Sequence, residues 1–343
     1  MVYAHYRLET KIVGRQAKGQ NKQPIPGKSV SVVAKAAYRS GQSLKDDRAD
    51  KTFNYRSRTQ EVAFSEIMAP ENSPDWLRAE NSPGFAGAKK QRELRQQLWN
   101  TIERVEKRRD SQLAREFVLS LPRQLDRAQQ IELVRDWCRS EFVSKGFVVD
   151  LAIHKSKSGL NPHAHVLVTT RPVTADGFGK KPDMAGKFNG RGAAGYGAKD
   201  DLMNWRESWC NAENSALEKA GRPERADHRS LKARGIDKIP EPKIGIEASA
   251  MKRKGIEKDP RRFQLVRWVK MLNEARPFIH NLQHFGRTRP KASRSLWLQR
   301  SADYLAEFGE RAGRVLHDAK DKWTMLIDSQ RANAQKSGPD LDK

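Results

Sequence analysis

Cysteine is scarce in this sequence: Cys138 and Cys210 are the only two among 343 residues. Two thiols exclude a disulfide-stapled scaffold and a zinc module closed by several thiolates. Both fall among apolar positions of helical spacing, so they read as buried, reduced thiols and not as metal ligands. Long apolar runs are missing too. No stretch reaches the ~20 residues that span a bilayer, and the N-terminus has no signal-peptide apolar core. A cytoplasmic protein with no membrane span is the expectation. Acidic residues are few beside basic ones, 42 against 66, for a formal net charge of +24. The excess is spread along the chain: residues 251–343 hold 21 basic and 11 acidic residues. A polyanion is the natural partner, with nucleic acid ahead of an anionic membrane surface. A ribosomal or architectural protein would carry the same charge, so charge alone does not specify an enzyme. The Gly-rich stretch 186–197 lacks both a Gly-Lys-Ser/Thr ending and a preceding strand. It reads as a loop and not as a phosphate-binding one.

What is present is a regular alternation of patterns. Tyr6, Leu8, Thr10 and Ile12 alternate with polar residues and predict a first strand. Residues 14–28, rich in Gly, Gln and Pro, read as a long flexible loop. Residues 29–40 predict a helix capped at Ser29 or Ser31 and ended by Gly41. Val62, Phe64 and Ile67 predict a short strand. An amphipathic helix is expected over 91–113, through Leu94, Leu98, Ile102 and Val105. In the next strand, 115–121, Phe117, Leu119 and Leu121 face one way and Glu116, Val118 and Ser120 the other. Asp126 caps a helix that Gly146 ends. Leu202, Trp205, Trp209, Ala212 and Ala216 share one face of another helix. The fold class is α+β, a largely antiparallel sheet with flanking helices over residues 1–246. A basic, helical C-terminal appendage follows over 247–343, where Trp268, Leu272 and Phe278 lie among arginines.

The densest chemistry lies at His154, His163 and His165. The apolar runs 147–153 and 166–170 flank them, joined by a polar link at 155–162 that reads as a hairpin loop. Alternation puts His163 and His165 on one face, and the hairpin returns the chain so that His154 joins them. Asp150 shares His154's face. Three neutral imidazoles on one face make a metal site with open positions. They suit Mn or Zn, with Mg allowed by its abundance.

Three segments together resemble the MobA/MobL family of plasmid mobilisation relaxases. They are Ala36-Ala37-Tyr38-Arg39-Ser40-Gly41, then Asn161-Pro162-His163-Ala164-His165-Val166 with His154 upstream, then Asp227-His228-Arg229-Ser230-Leu231. The stretches Leu113–Phe117 and Phe64–Ile67 also look like the family. The resemblance covers residues 1–246. The chain departs from the family at an inserted loop, 20–28, and at the Gly-rich loop before Ala198. The family's fold is the HUH relaxase fold, named for two histidines flanking an apolar residue, here Ala164. The resemblance implies nicking and rejoining of one DNA strand at a plasmid transfer origin through a 5′-phosphotyrosine, with Tyr38 as the matching nucleophile. It implies a divalent metal and single-stranded and origin-region plasmid DNA. It also implies relaxosome accessory proteins, a type IV coupling protein, and entry into the recipient cell with the DNA.

A tyrosine hydroxyl, with an ordinary pKa of about 10, needs activation by a metal or a base. Glu116 and Asp150 are the candidates either to take its proton or to orient an imidazole. Arg39, Arg104, Lys107, Arg108 and Arg109 are candidates for phosphate contact. His228 and Arg229 join them through the third motif, with His228 structural or phosphate-contacting. His280, His284 and His317 read as surface residues. Two competing functions remain. One is a rolling-circle replication initiator, disfavoured because the helix holds no second tyrosine a turn from Tyr38. The other is a non-catalytic DNA-binding protein with a structural zinc, disfavoured because neither cysteine lies near the histidines.

Overall fold

The structure is a computed structural model. It describes residues 4–18, 24–78, 88–155, 161–182, 199–242, 255, 266–274 and 276. Two compact units part after His228. In the first unit the strands are β1 (Leu8–Gly14), β2 (Gln16–Lys18), β3 (Pro24–Ser29), β4 (Ser43–Asp46), β5 (Lys51–Asn54), β6 (Val62–Met68), β7 (Gln112–Ser120), β8 (Val149–His154), β9 (His163–Thr169), β10 (Val173–Thr174) and β11 (Gly177–Phe178). The helices are α1 (Val32–Ser40), α2 (Asp75–Arg78), α3 (Ala88–Val105), α4 (Arg127–Glu141) and α5 (Lys199–Lys219).

A five-stranded antiparallel sheet in the order β1-β7-β9-β8-β6 organises the unit. Its two faces bury different elements, because successive side chains on each strand point opposite ways. Phe117, Leu119, Val149, Leu151, Ile153, Ala164 and Val166 pack on one face against Trp137 of α4 and Trp205 and Trp209 of α5. The other face meets Val33, Ala36 and Ala37 of α1 and Leu98, Trp99 and Ile102 of α3. Both cysteines are buried and free, one on each of α4 and α5.

Helix α1 is fixed at both ends. Ser31 caps its start by accepting from the Ala34 N–H at 2.9 Å. The Glu103 carboxylate of α3 accepts from the Val32 N–H at 3.1 Å, an anion where the helix exposes unpaired donors. At the far end Gly41 adopts φ 63°, and a Cβ there would meet the Thr59 backbone at 2.9 Å. Thr59 donates its hydroxyl to the Gly41 carbonyl at 2.7 Å. The 3-10 turn Arg56–Glu61 is thereby clamped to the helix end.

The expected strands at 115–121 and around Val62 and Ile67 form, as does the cap at Asp126, which makes a full capping box with Gln129. Three boundaries differ. Residues 14–28 are not all loop: β2 and β3 pair there, with residues 19–23 outside the described set. Pairing, not periodicity, makes those strands. The helix expected over 91–113 ends at Val105, because Gln112 pairs with Gly14 and draws Leu113 into the sheet. The β4–β5 hairpin was not anticipated, since it fully buries only Leu44 and Asp46. Residues 156–160 of the expected hairpin loop and the Gly-rich 186–197 lie outside the described residues.

In the second unit, residues 266–274 are helical and bury Val266, Val269 and Met271. Trp268 and Leu272 are half-buried beside them. Asn273 exchanges two hydrogen bonds with the Ile239 backbone, at 2.7 and 2.9 Å. Phe278, His280, His284 and His317 lie outside the described residues.

Helix α5 carries Glu213 into the core of the first unit with no exposure at all. Burial pushes its carboxyl well above the usual range, opposed only in part by the Trp209 indole. A group that holds its proton when folded and releases it when unfolded supports the fold fully only below the unfolded pKa. Stability then falls as pH rises towards the folded pKa. Glu213→Gln keeps the shape and removes the titration. In urea unfolding the variant should match the native protein near pH 4 and exceed it at pH 8. A constant difference across that range would exclude this origin.

Candidate functional site

His154 closes β8 and His163 opens β9, directly opposite each other in the ladder, and His165 sits opposite Ala152. Alternation puts all three rings on the α1 face. Their centroids are 4.9 to 5.4 Å apart. One ligand nitrogen from each ring lies within 4.8 Å of the other two.

Each ring is also held from outside the cluster. His154 Nε2 lies 2.6 Å from the Arg39 carbonyl. His163 Nδ1 lies 2.9 Å from the Asn161 carbonyl, and His165 Nδ1 lies 3.0 Å from Glu116 Oε1. A nitrogen facing an acceptor carries the proton, so the other nitrogen of each neutral ring carries a lone pair. Burial lowers the His154 imidazole to about 4; the Arg39 carbonyl opposes this, and the neighbouring rings reinforce it. Burial also lowers His165, against its hydrogen bond to Glu116. Both are therefore neutral near pH 7, the form that binds a metal. Three imidazoles held by outside acceptors, with one nitrogen of each turned to the others, fit a divalent ion.

Glu116 projects from β7 on the same face and is buried. Its Oε1 accepts from Arg39 Nε at 2.6 Å, and the second Arg39 nitrogen also pairs with it. Burial alone would raise this carboxyl. The His165 hydrogen bond and the Arg39 guanidinium overcome burial and bring it to about 2. A carboxylate so acidic takes up protons poorly near neutral pH, so of its two expected roles the geometry supports orienting His165.

Tyr38 lies one residue before Arg39 and is 38% exposed, so its ring is open to solvent. Two neighbours hold it. The Tyr55 ring meets it edge-on with centroids 5.2 Å apart. The Arg58 guanidinium stacks over it at 3.9 Å from the ring centre. Arg58 also repels a proton on His154, which places its charge near the imidazoles. Neither Tyr55 nor Arg58 carries a sequence signal. They sit in a polar stretch without periodicity, and the clamp at Gly41 together with the Tyr55 N–H donating to the Gln42 carbonyl brings them to α1.

The other expected residues lie elsewhere. Asp150 is on the imidazole face, but four residues down β8 from His154, roughly 13 Å at strand rise. Arg95 Nε binds its two oxygens at 2.9 and 3.0 Å, and Trp99 Nε1 donates at 2.8 Å. It ties α3 to the sheet through Arg95 and Trp99, and its distance from the imidazoles counts against a role in proton transfer. Arg104, Lys107, Arg108 and Arg109 are exposed beside Gln112, at the other end of β7 from Ser120, the partner of His163. Eight residues of strand, roughly 27 Å, separate those ends. His228 packs its backbone at Cys210 of α5, the helix on the opposite sheet face. Arg229 is exposed and begins the second unit.

Tyr38 and the three histidines fall within residues 30–254, which match the MobA/MobL family. The chain belongs to the MobA/MobL family. It is 35% identical over 257 residues to the probable conjugal transfer protein TraA of Sinorhizobium fredii, covering 68% of this chain and 22% of the relative. It is 28% identical over 289 residues to the mobilization protein MobL of Acidithiobacillus ferridurans, covering 77% of this chain and 68% of that protein. The chain thus spans about a fifth of the length of the TraA proteins it matches. A solved structure described as the molecular basis of vancomycin resistance transfer in Staphylococcus aureus superposes with a TM-score of 0.51 at 29% identity. That match covers 66% of this chain and all of that one. This MobA/MobL chain has the α+β fold expected of it, and no helix among its described residues is long and apolar enough to cross a membrane.

If Glu116 orients His165, its replacement must weaken metal binding. Glu116→Gln should lower the affinity for Mn²⁺ by about 10- to 100-fold, measured by titration calorimetry. Unchanged affinity in a folded variant would remove Glu116 from the site.

Proposed function

We propose that this chain nicks and rejoins one strand of plasmid DNA at a transfer origin, with Tyr38 as nucleophile. The observation that carries the reading is the double attachment of Arg39. Its carbonyl meets His154, and its guanidinium holds the carboxylate that holds His165. The residue beside it, Tyr38, is thereby registered to the three-imidazole cluster.

The Tyr38 hydroxyl oxygen attacks the phosphorus of a phosphodiester. A bond forms between the tyrosine oxygen and phosphorus, the bond from phosphorus to the 3′ oxygen breaks, and that oxygen takes a proton from solvent and leaves as a 3′ hydroxyl. The phenolic proton passes to solvent, since Tyr38 is exposed and neither carboxylate, Glu116 or Asp150, is free to accept it. The 5′ phosphotyrosine conserves the bond energy, and attack by a 3′ hydroxyl reverses the reaction. A divalent ion on His154, His163 and His165 would neutralise charge on the non-bridging oxygens. Tyr55 and Arg58 restrict the Tyr38 ring, so that less orientation must be found during the reaction. The partners this reading entails are single-stranded and origin-region DNA, with accessory and coupling proteins of the transfer machinery.

Incubation with labelled single-stranded origin DNA and Mn²⁺ should give a protein–DNA adduct that survives denaturing electrophoresis. Tyr38→Phe should abolish it while DNA affinity stays within about twofold of native, because only a hydroxyl is lost. An adduct surviving in that variant would transfer the nucleophile's role elsewhere, Tyr55 being the nearest candidate. His163→Ala and His165→Ala should each lower Mn²⁺ affinity and nicking together in a folded protein. Chelator should stop the native reaction and Mn²⁺ restore it. Undiminished nicking in chelator would contradict the metal assignment.

A further inference from the structure

A cavity of about 670 Å³ opens beside the site on the imidazole face of the sheet. Its walls are the end of α1, the Arg56–Glu61 turn, the edge strand β6 and the start of α3. That volume falls within the range of about 300–1,000 Å³ typical of small-molecule sites. Three features bear on what enters it. The first is position. Val62, in its wall, pairs with His154 across one strand spacing of about 4.8 Å. Ser40 and Gly41 in the wall directly follow Tyr38 and Arg39.

The second feature is charge. Arg56, Lys89 and Arg92 line the cavity, and no aspartate or glutamate does. None of the three has a carboxylate partner among the described residues, whereas nearby Arg58 and Arg95 are paired to Glu61 and Asp150. The third is an unmet acceptor. Gln91 Oε1 is buried in the cavity wall with no hydrogen-bond donor among the described residues. A buried acceptor left unsatisfied costs free energy that a ligand N–H can recover.

We propose that this cavity holds the nucleotide of the nicked strand adjoining the scissile phosphate. Its phosphates lie against Arg56, Lys89 and Arg92, and its base edge lies at Gln91. The inference rests on the reading of Tyr38 and the imidazoles as a DNA-nicking site. It adds a subsite that positions the strand and contributes to sequence choice. It also supplies the cations for phosphate contact at the end of the sheet where the chemistry lies, whereas the basic run at 104–109 sits at the far end of the same face.

The test is binding of a fluorescein-labelled homothymidine 12-mer at a series of salt concentrations. The triple variant Arg56→Gln, Lys89→Gln, Arg92→Gln should bind at least tenfold more weakly than native at low salt. Its plot of log affinity against log salt should be shallower by about 2, since each lost phosphate contact removes about 0.7 on single strands. The pair Arg56→Lys, Arg92→Lys keeps the charge and should keep the native slope. Should the triple variant fail to fold, each single Gln variant carries the same test with a slope change of about 0.7. A folded triple variant with native affinity and slope overturns the subsite and leaves the nicking reading standing. Native protein that binds neither the 12-mer nor single-stranded origin DNA overturns both.

Discussion

One buried carboxylate connects everything that matters at this site. Glu116 sits on the central part of the sheet with its Oε1 shared between Arg39 of α1 and His165 of β9. Burying an anion is costly unless it is paired and hydrogen-bonded, and breaking such a pair leaves an uncompensated charge inside the protein. The same oxygen therefore penalises any shift of the helix relative to the imidazoles. The Arg39 carbonyl adds a second tie, to His154. Helix position, tautomer and metal readiness follow from one constellation. This is why a nine-residue helix, too short to be stable alone in water, can hold Tyr38 in a defined place.

The sheet separates tasks by face. The α4 and α5 side carries the larger aromatic cluster, Phe117, Trp137, Phe142, Trp205 and Trp209, with buried charge at Glu66 and Glu213. The α1 and α3 side accepts buried charge in quantity: Arg15 with Glu103, Arg95 with Asp150, Arg39 with Glu116. Those pairs fix elements in relation to one another. Arg95 also reaches Gln42 just beyond α1, at 2.8 Å, so α3 braces both ends of the helix that carries Tyr38. The cations left without acidic partners near the imidazoles are then available for a polyanion. The net charge of +24 becomes informative once it is divided into paired and unpaired positions.

The histidine face was legible from sequence because strand alternation is a strict rule. Once 147–153 and 166–170 read as strands, the placement of His154, His163 and His165 followed. The caps of α1 were legible for a similar reason, Ser29 or Ser31 at its start and Gly41 at its end, of which the fold uses Ser31 and Gly41: each depends on a residue type with a local mechanism. Other features depend on contacts distant in sequence and have no local signature. Glu116 and Asp150 look alike in the chain, each a carboxylate on an apolar strand facing the imidazole side. Only the partners supplied by α1 and α3 distinguish them, 77 and 55 residues away respectively. The end of α3 was misplaced because Leu113 continues the helical apolar period while sheet pairing claims it. The basic run 104–109 looked well suited to phosphate, yet antiparallel packing of α3 on α1 carries it to the far end of the sheet.

The central physical claim is that the three imidazoles form a ready-made divalent-metal site beside α1. It is tested most directly by soaking crystals of the protein in Mn²⁺ and collecting anomalous diffraction. The account predicts one strong peak in the first unit, bonded to a nitrogen of each of His154, His163 and His165, with Glu116 within hydrogen-bond reach of His165 but off the metal. A map with no peak between the three rings, or with Glu116 or Asp150 as a direct ligand, would contradict it.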